Sequence, residues 1–189
     1  MQRYCQARLN IKKAVVSICP LLAILAPATM NATQPSAPLI VTNNASFVGK
    51  AAPPFRVTTL EGKPVSLSDY KGKALVVNFW ATWCAACKLE MPWLAQLREK
   101  YAGQGFEIIG IVTDGATEEK VRQIAMKYGV EYRIARCNHK TAQAYGGLPY
   151  LPESFYIDKH GRVVLAAADA NSKEEIEGNI RKLLGLGAR

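Results

Sequence analysis

The sequence predicts an α/β domain built on a mixed central sheet, with helices on both faces and a β-hairpin extension at its N-terminal end. Three observations carry this. The run Ala74-Leu75-Val76-Val77-Asn78-Phe79-Trp80 is apolar almost without a break, as a central strand covered on both faces requires. Strand-like and helix-like stretches alternate after it. The alternation ends in a hairpin and a last helix, which makes the sheet mixed.

Taken in order, Val57 to Leu67, with Glu61-Gly62-Lys63-Pro64 at its centre, reads as a hairpin. Ser68-Asp69-Tyr70-Lys71-Gly72-Lys73 reads as a polar turn. The buried strand from Ala74 to Trp80 follows, then a helix from about Cys84 to Tyr101, with Pro92 inside it predicting a kink. Phe106 to Thr113 is a second apolar strand. Thr117 to Tyr128 places Val121, Ile124, Ala125 and Tyr128 at helical spacing and stops at Gly129. Tyr132 to Ala135 gives a short strand and Lys140 to Tyr145 a short helix. Glu153 to Ile157 and Arg162 to Ala167 flank Asp158-Lys159-His160-Gly161, a strong hairpin signal. The last helix runs from Ser172, an N-cap residue with Glu175 three positions on, to Leu184.

The chain has 189 residues, 49% of them apolar, which suits one globular domain and a short extension. Residues 1–28 have the layout of a secretory signal: a basic stretch ending at Lys12-Lys13, the apolar run Ala14 to Ala26, then Ala26-Pro27-Ala28. The apolar run is short of the roughly 20 residues that span a bilayer. A cleaved signal is therefore expected, with an uncleaved membrane anchor as the alternative. Ile18 before Cys19 argues against a lipoprotein cleavage site. Residues 29–46, rich in Asn, Thr, Pro, Ser and Ala, read as a flexible linker, and residues 47–187 as the folded domain.

Of the net charge of +9, Arg3, Arg8, Lys12 and Lys13 supply four, so the exported domain is only moderately basic. Its cations are scattered among Glu and Asp without an aromatic-basic stripe, which argues against a nucleic-acid partner. No phosphate-binding glycine loop or nicotinamide fingerprint is present. Setting aside Cys5 and Cys19 with the signal leaves Cys84, Cys87 and Cys137. An odd number in an oxidising compartment means that at least one thiol is free or transiently paired, so a purely structural disulfide framework does not fit.

Trp83-Cys84-Ala85-Ala86-Cys87 stands where the buried strand hands over to a helix. Unpaired N–H groups and the positive end of the dipole at a helix N-terminus favour a thiolate, which makes Cys84 the candidate nucleophile. Cys87, one turn on, is close enough to pair with it or to resolve a mixed disulfide held on it. The competing reading is half of a zinc site. That needs four ligands, and only Cys137, His139 and His160 remain, at unusual spacing. A different class of function is Cu(I) delivery through Cys84, Cys87 and either Cys137 or His139. A peroxidase is disfavoured, because no Thr-x-x-Cys arrangement occurs at this place. No cofactor beyond the redox-active pair is expected.

The segment from Asn78 to Pro92, Asn-Phe-Trp-Ala-Thr-Trp-Cys-Ala-Ala-Cys-Lys-Leu-Glu-Met-Pro, resembles the active-site segment of exported thioredoxin-like proteins of the TlpA/ResA/CcmG group. Ala52-Pro53-Pro54-Phe55, Leu67 to Lys73 and Pro152-Glu153-Ser154-Phe155-Tyr156-Ile157-Asp158 are further matches in the right order. The resemblance covers about Phe47 to Leu184. It implies a thioredoxin-like fold and thiol-disulfide exchange outside the cytoplasm, often in cytochrome c maturation or respiratory-complex assembly.

Site roles follow from that resemblance. Cys84 attacks a substrate disulfide and Cys87 resolves the mixed species. Glu90 shares a helix face with Cys87; its alternative is an exposed helix carboxylate, but the match to Lys-x-Glu-x-Pro makes it a proton acceptor for Cys87. Cytoplasmic thioredoxins carry an acid where Asn78 stands here, consistent with an acceptor moved to Glu90. Pro152 is expected in cis opposite the thiols, presenting the backbone of Leu151 to an extended substrate segment, with Pro149 out of register for this role. Gly146 to Leu151 looks about one residue longer than usual. Trp83 is expected to shield the reactive thiol and contact substrate, and Trp80 to be core. Glu153 either shapes the groove or faces solvent. Cys137 is either a small inert residue or a third exchanging thiol, and His139 and His160 are expected at the surface. The expected partners are disulfide-containing exported proteins and a membrane electron donor of DsbD or CcdA type, with the protein in the periplasm or at the outer face of the cytoplasmic membrane.

Overall fold

In the computed structural model the described residues are 43–168 and 172–187. The signal or anchor segment, with Cys5 and Cys19, and the linker up to residue 42 lie outside them. Linker positions 43–46 open a 3-10 turn, Asn43–Phe47, so regular structure begins ahead of the expected start at Phe47. The turn is tied to the sheet at its end: Phe47 meets the Phe155 ring edge-on at 5.6 Å, and the Gly49 N–H donates to Val163 C=O at 2.8 Å.

Seven strands make one sheet: β1 (Arg56–Thr59), β2 (Pro64–Ser66), β3 (Ala74–Trp80), β4 (Phe106–Val112), β5 (Arg133–Arg136), β6 (Glu153–Ile157) and β7 (Val163–Ala168). Their order is β2-β1-β5-β4-β3-β6-β7. β3, β4 and β5 are parallel, while β1, β2, β6 and β7 join by antiparallel pairing. The helices are α1 (Ala85–Tyr101), α2 (Glu118–Lys127), α3 (His139–Ala144) and α4 (Lys173–Leu183). Among the described residues no helix is long and apolar enough to cross a membrane.

All seven residues of β3 are buried, which places it centrally and lets alternate side chains serve two cores. Val77, Phe79, Ile109, Ile111, Phe155 and Tyr145 pack on one face, with α3 and the Phe47 turn over them. Val76, Ile108 and Tyr156 meet α1 and α4 on the other. On that second face Trp80, Val112 and Ile134 meet Cys87, Met91 and the α2 residues Val121 and Ile124. Gly110 on β4 leaves room there: a Cβ would come within 3.1 Å of Tyr132 Cε2 and 3.2 Å of Trp80 Nε1.

Three local expectations need correction. The stretch read as a polar turn contains a 3-10 turn, Leu67–Tyr70. Asp69 Oδ2 accepts the Ser66 N–H at 2.7 Å, which turns Tyr70 into the core. The strand expected at Tyr132 to Ala135 lies one residue later, because Arg136 pairs with Val112. The helices read from Thr117 and Lys140 start at Glu118 and His139, whereas the last begins at Lys173 after Ser172, the N-cap expected. Thr117, Asn138 and Ser172 are their caps, each side chain accepting a backbone N–H three residues on. α1 runs through Pro92, which has no N–H to offer the Lys88 carbonyl.

Candidate redox site

β3 ends at Trp80, and the chain turns back at once: the Cys84 N–H donates to Ala81 C=O at 3.1 Å. Cys84 therefore sits at the N-cap of α1 in extended conformation, the helix N-terminus expected from sequence. Its Sγ accepts the Cys87 N–H at 3.1 Å, satisfying one of the donors that a helix start leaves unpaired. Cys84 and Cys87 form a disulfide with S–S 2.05 Å and Cα–Cα 5.4 Å, ordinary bridge dimensions. Both residues are buried against Trp80, Met91, Val121 and the partly buried Leu151.

Glu90 is buried, only 4% exposed, in the stripe of α1 that includes Cys87, Met91 and Leu94. The alternative of an exposed helix carboxylate is thereby corrected. Burial first, and the Glu90 charge second, push the hydroxyls of Tyr132 and Tyr156 up, so the three groups share one environment between α1 and the sheet. Asn78 donates from Nδ2 to Ser154 Oγ at 3.0 Å, a neutral pair on the strand beneath.

The Leu151–Pro152 bond is cis, at the position expected and not at Pro149. Leu151 packs against the cluster that holds both cysteines, which brings the segment before Pro152 beside the disulfide. The approach to it is irregular: Gly146, Gly147 and Leu148 have φ of 86°, 81° and 54°, and only the glycines take this left-handed region without cost.

Glu153 follows Pro152 and is 1% exposed, which corrects the alternative that it faces solvent. It pairs in register with Phe79. By strand alternation it lies on the Phe155 side of the sheet, opposite the side that carries α1. Neither carboxylate oxygen has a hydrogen-bond partner, and burial pushes its pKa up to about 7.

Trp83 was expected to cover the thiol. It is 70% exposed, an apolar surface next to Cys84 in the chain. Tyr150, also exposed, adds a second ring just before Leu151. Trp80 is core, and His139 and His160 are at the surface.

Cys137 is partly buried and packs on the Phe79 side of the sheet, whereas the disulfide lies on the Trp80 side. Burial pushes the Cys137 thiol up, which lowers its reactivity. Among the described residues no three His, Cys, Asp or Glu side chains stand close enough to hold a metal ion.

One residue near the site escaped the sequence reading. Asp114, just past β4, accepts the Thr82 N–H at 2.9 Å and the Thr82 hydroxyl at 2.6 Å, both on Oδ2. Its signal was an acid two residues beyond an apolar strand, at the end of a parallel sheet where functional groups gather.

A buried cysteine pair at a strand-to-helix turn beside a cis proline, once reduced, can exchange electrons with another protein's disulfide. The sequence model of the AhpC/TSA family matches residues 48–166. The chain is similar to the thiol-disulfide oxidoreductase ResA of Bacillus thuringiensis (strain Al Hakam), 42% identical over 137 residues, 72% of this chain and 78% of the relative. ResA of Bacillus subtilis (strain 168) is 36% identical over 129 residues, 64% of this chain and 71% of that one. Among solved structures, a thioredoxin-family thiol:disulfide interchange protein from Chlorobium tepidum TLS superposes with a TM-score of 0.65 at 31% identity, covering 71% of this chain and 96% of that one.

Proposed function

The chain belongs to the AhpC/TSA family and is a thiol-disulfide oxidoreductase of the ResA/DsbE type, and we propose that it works as a reductase of disulfides in exported proteins. The observation that carries this is the Cys84–Cys87 disulfide at the start of α1, with buried Glu90 one turn beyond Cys87. A carboxylate near the pair disfavours a thiolate and so favours the disulfide over the dithiol. The Ala85-Ala86 dipeptide adds no positive charge to oppose it.

In this reading the Cys84 thiolate attacks one sulfur of a substrate disulfide, forming a mixed disulfide and releasing a substrate thiolate. Glu90 takes the proton of Cys87. The Cys87 thiolate then attacks Cys84 Sγ, closing the internal disulfide and releasing the second substrate thiolate. Two electrons pass to the substrate, and its two thiolates take up two protons. The backbone of Leu151 pairs with an extended substrate segment, and the exposed Trp83 offers it an apolar contact.

The oxidised pair needs a two-electron donor, which we assign to a membrane dithiol protein of the DsbD or CcdA type. Residues 1–28 are read as the export signal or as a retained anchor. In this reading the protein works in the periplasm or at the outer face of the cytoplasmic membrane, with cytochrome c maturation or respiratory-complex assembly as the process served. Cys87→Ser should accumulate a covalent mixed disulfide with substrate while Cys84→Ser accumulates none. Equal trapping by both variants, or by neither, would contradict the assignment.

A further inference from the structure

The end of β3 is held to the end of β4 by four hydrogen bonds. Thr113 donates to Trp80 C=O from its N–H at 2.9 Å and from its hydroxyl at 3.1 Å. Thr82 returns two bonds to Asp114 Oδ2, at 2.9 Å from its N–H and 2.6 Å from its hydroxyl. The second bond has the short length of a charge-assisted contact. Between these anchors lies Ala81, whose carbonyl receives the Cys84 N–H. The turn that presents Cys84 is therefore fixed to the loop after β4 by the Asp114 carboxylate, which holds Thr82, two residues before Cys84.

That carboxylate is otherwise uncompensated. Asp114 Oδ1 is buried and has no hydrogen-bond partner. Among the described residues no lysine, arginine or histidine forms an ion pair with Asp114. Two donors could be satisfied equally by the carbonyl oxygen of an asparagine, so anchoring alone does not call for an acid here. What the acid adds is a negative charge that the four bonds keep from moving away.

We propose that Asp114 is a positioning residue for the Cys84–Cys87 couple: through Thr82 it holds a fixed negative charge behind the active-site turn and biases the couple towards the disulfide. Reduction by two glutathione molecules forms glutathione disulfide and leaves two protein thiols. When Cys84 then ionises, its proton goes to solvent and the charge left on Sγ is the one that Asp114 repels. The reduced state is thereby made less favourable, opposing the pull of the α1 N-terminus on the same sulfur.

This inference rests on the exchange reading above but is tested separately from its direction. The full chain and its D114N variant are equilibrated with reduced and oxidised glutathione, and the dithiol fraction is counted by thiol labelling and mass spectrometry. Asparagine keeps an acceptor for Thr82 and removes the charge. Glu90 and Glu153 are present in both proteins and cancel in the comparison. D114N should shift the equilibrium about three- to tenfold towards the dithiol, tenfold being about 30 mV, and D114E should return it to within about twofold of the parent. If D114N does not fold, D114S supplies the same loss of charge. A neutral variant that stays within about twofold of the parent, or a D114E shift as large as that of D114N, would overturn the proposal. The parent's own potential decides reductase against oxidase, whereas only the difference between variants bears on Asp114.

Discussion

Replacing Glu153 with glutamine should stabilise the oxidised protein at neutral and alkaline pH and leave it nearly unchanged in acid. Glu153 is buried, both its oxygens lack partners, and desolvation lifts its pKa from 4.5 to about 7. A carboxyl with a raised folded-state pKa contributes stability that is fully present below the unfolded value and is lost as pH rises through the folded value. At about 1.36 kcal/mol for each tenfold change in proton affinity, that rise corresponds to about 3 kcal/mol. Local relaxation and water penetration on ionisation reduce this to about 1–3 kcal/mol. Glutamine carries no charge at any pH, and the cost of burying its amide does not change with pH. Urea unfolding of both proteins at a series of pH values gives the two stabilities. The advantage of Glu153→Gln over the parent should grow by about 1–3 kcal/mol between about pH 4.5 and pH 7.5 and then level off. A difference that stays flat across this range would refute the account of Glu153 as a buried, unpartnered acid.

Further outcomes follow from the same geometry. Glu90→Gln removes the proposed acceptor for the Cys87 proton and should slow turnover about tenfold or more, or raise the apparent pKa that governs it; an unchanged pH–rate profile would remove Glu90 from the mechanism. Trp83→Ala should weaken exchange with folded protein substrates while leaving exchange with glutathione nearly intact, because the exposed indole offers apolar surface beside Cys84 to a large partner; equal losses with both substrates would count against it. Gly110→Ala should cost about 1–3 kcal/mol in thermal or urea unfolding, since its Cβ would press on Tyr132 and Trp80, and a melting temperature equal to the parent's would show that the pocket yields.

The parts of the fold that were legible in the sequence are those that local pattern controls. β3 is apolar without a break because both its faces are covered, and α2 shows its buried face as Val121, Ile124 and Ala125. The start of α2 differs by one residue because Thr117 caps with its side chain while its backbone remains extended, whereas Ser172 was legible as a cap from Glu175 three positions on. The cysteine pair and Pro152 were visible as motifs. Glu153 was not assignable, because a period of two says which side of a strand a residue takes but not what covers that side. Asp114 was missed because its partner Thr82 is 32 residues away, and the contact exists only once β3 and β4 lie in register.

The most direct test of the central claim is the reduction potential of the Cys84–Cys87 pair in the parent protein, measured against defined glutathione or dithiothreitol buffers. An electron-supplied reductase predicts a value near or below about −220 mV; a value near about −120 mV would make the protein a disulfide donor and contradict the account.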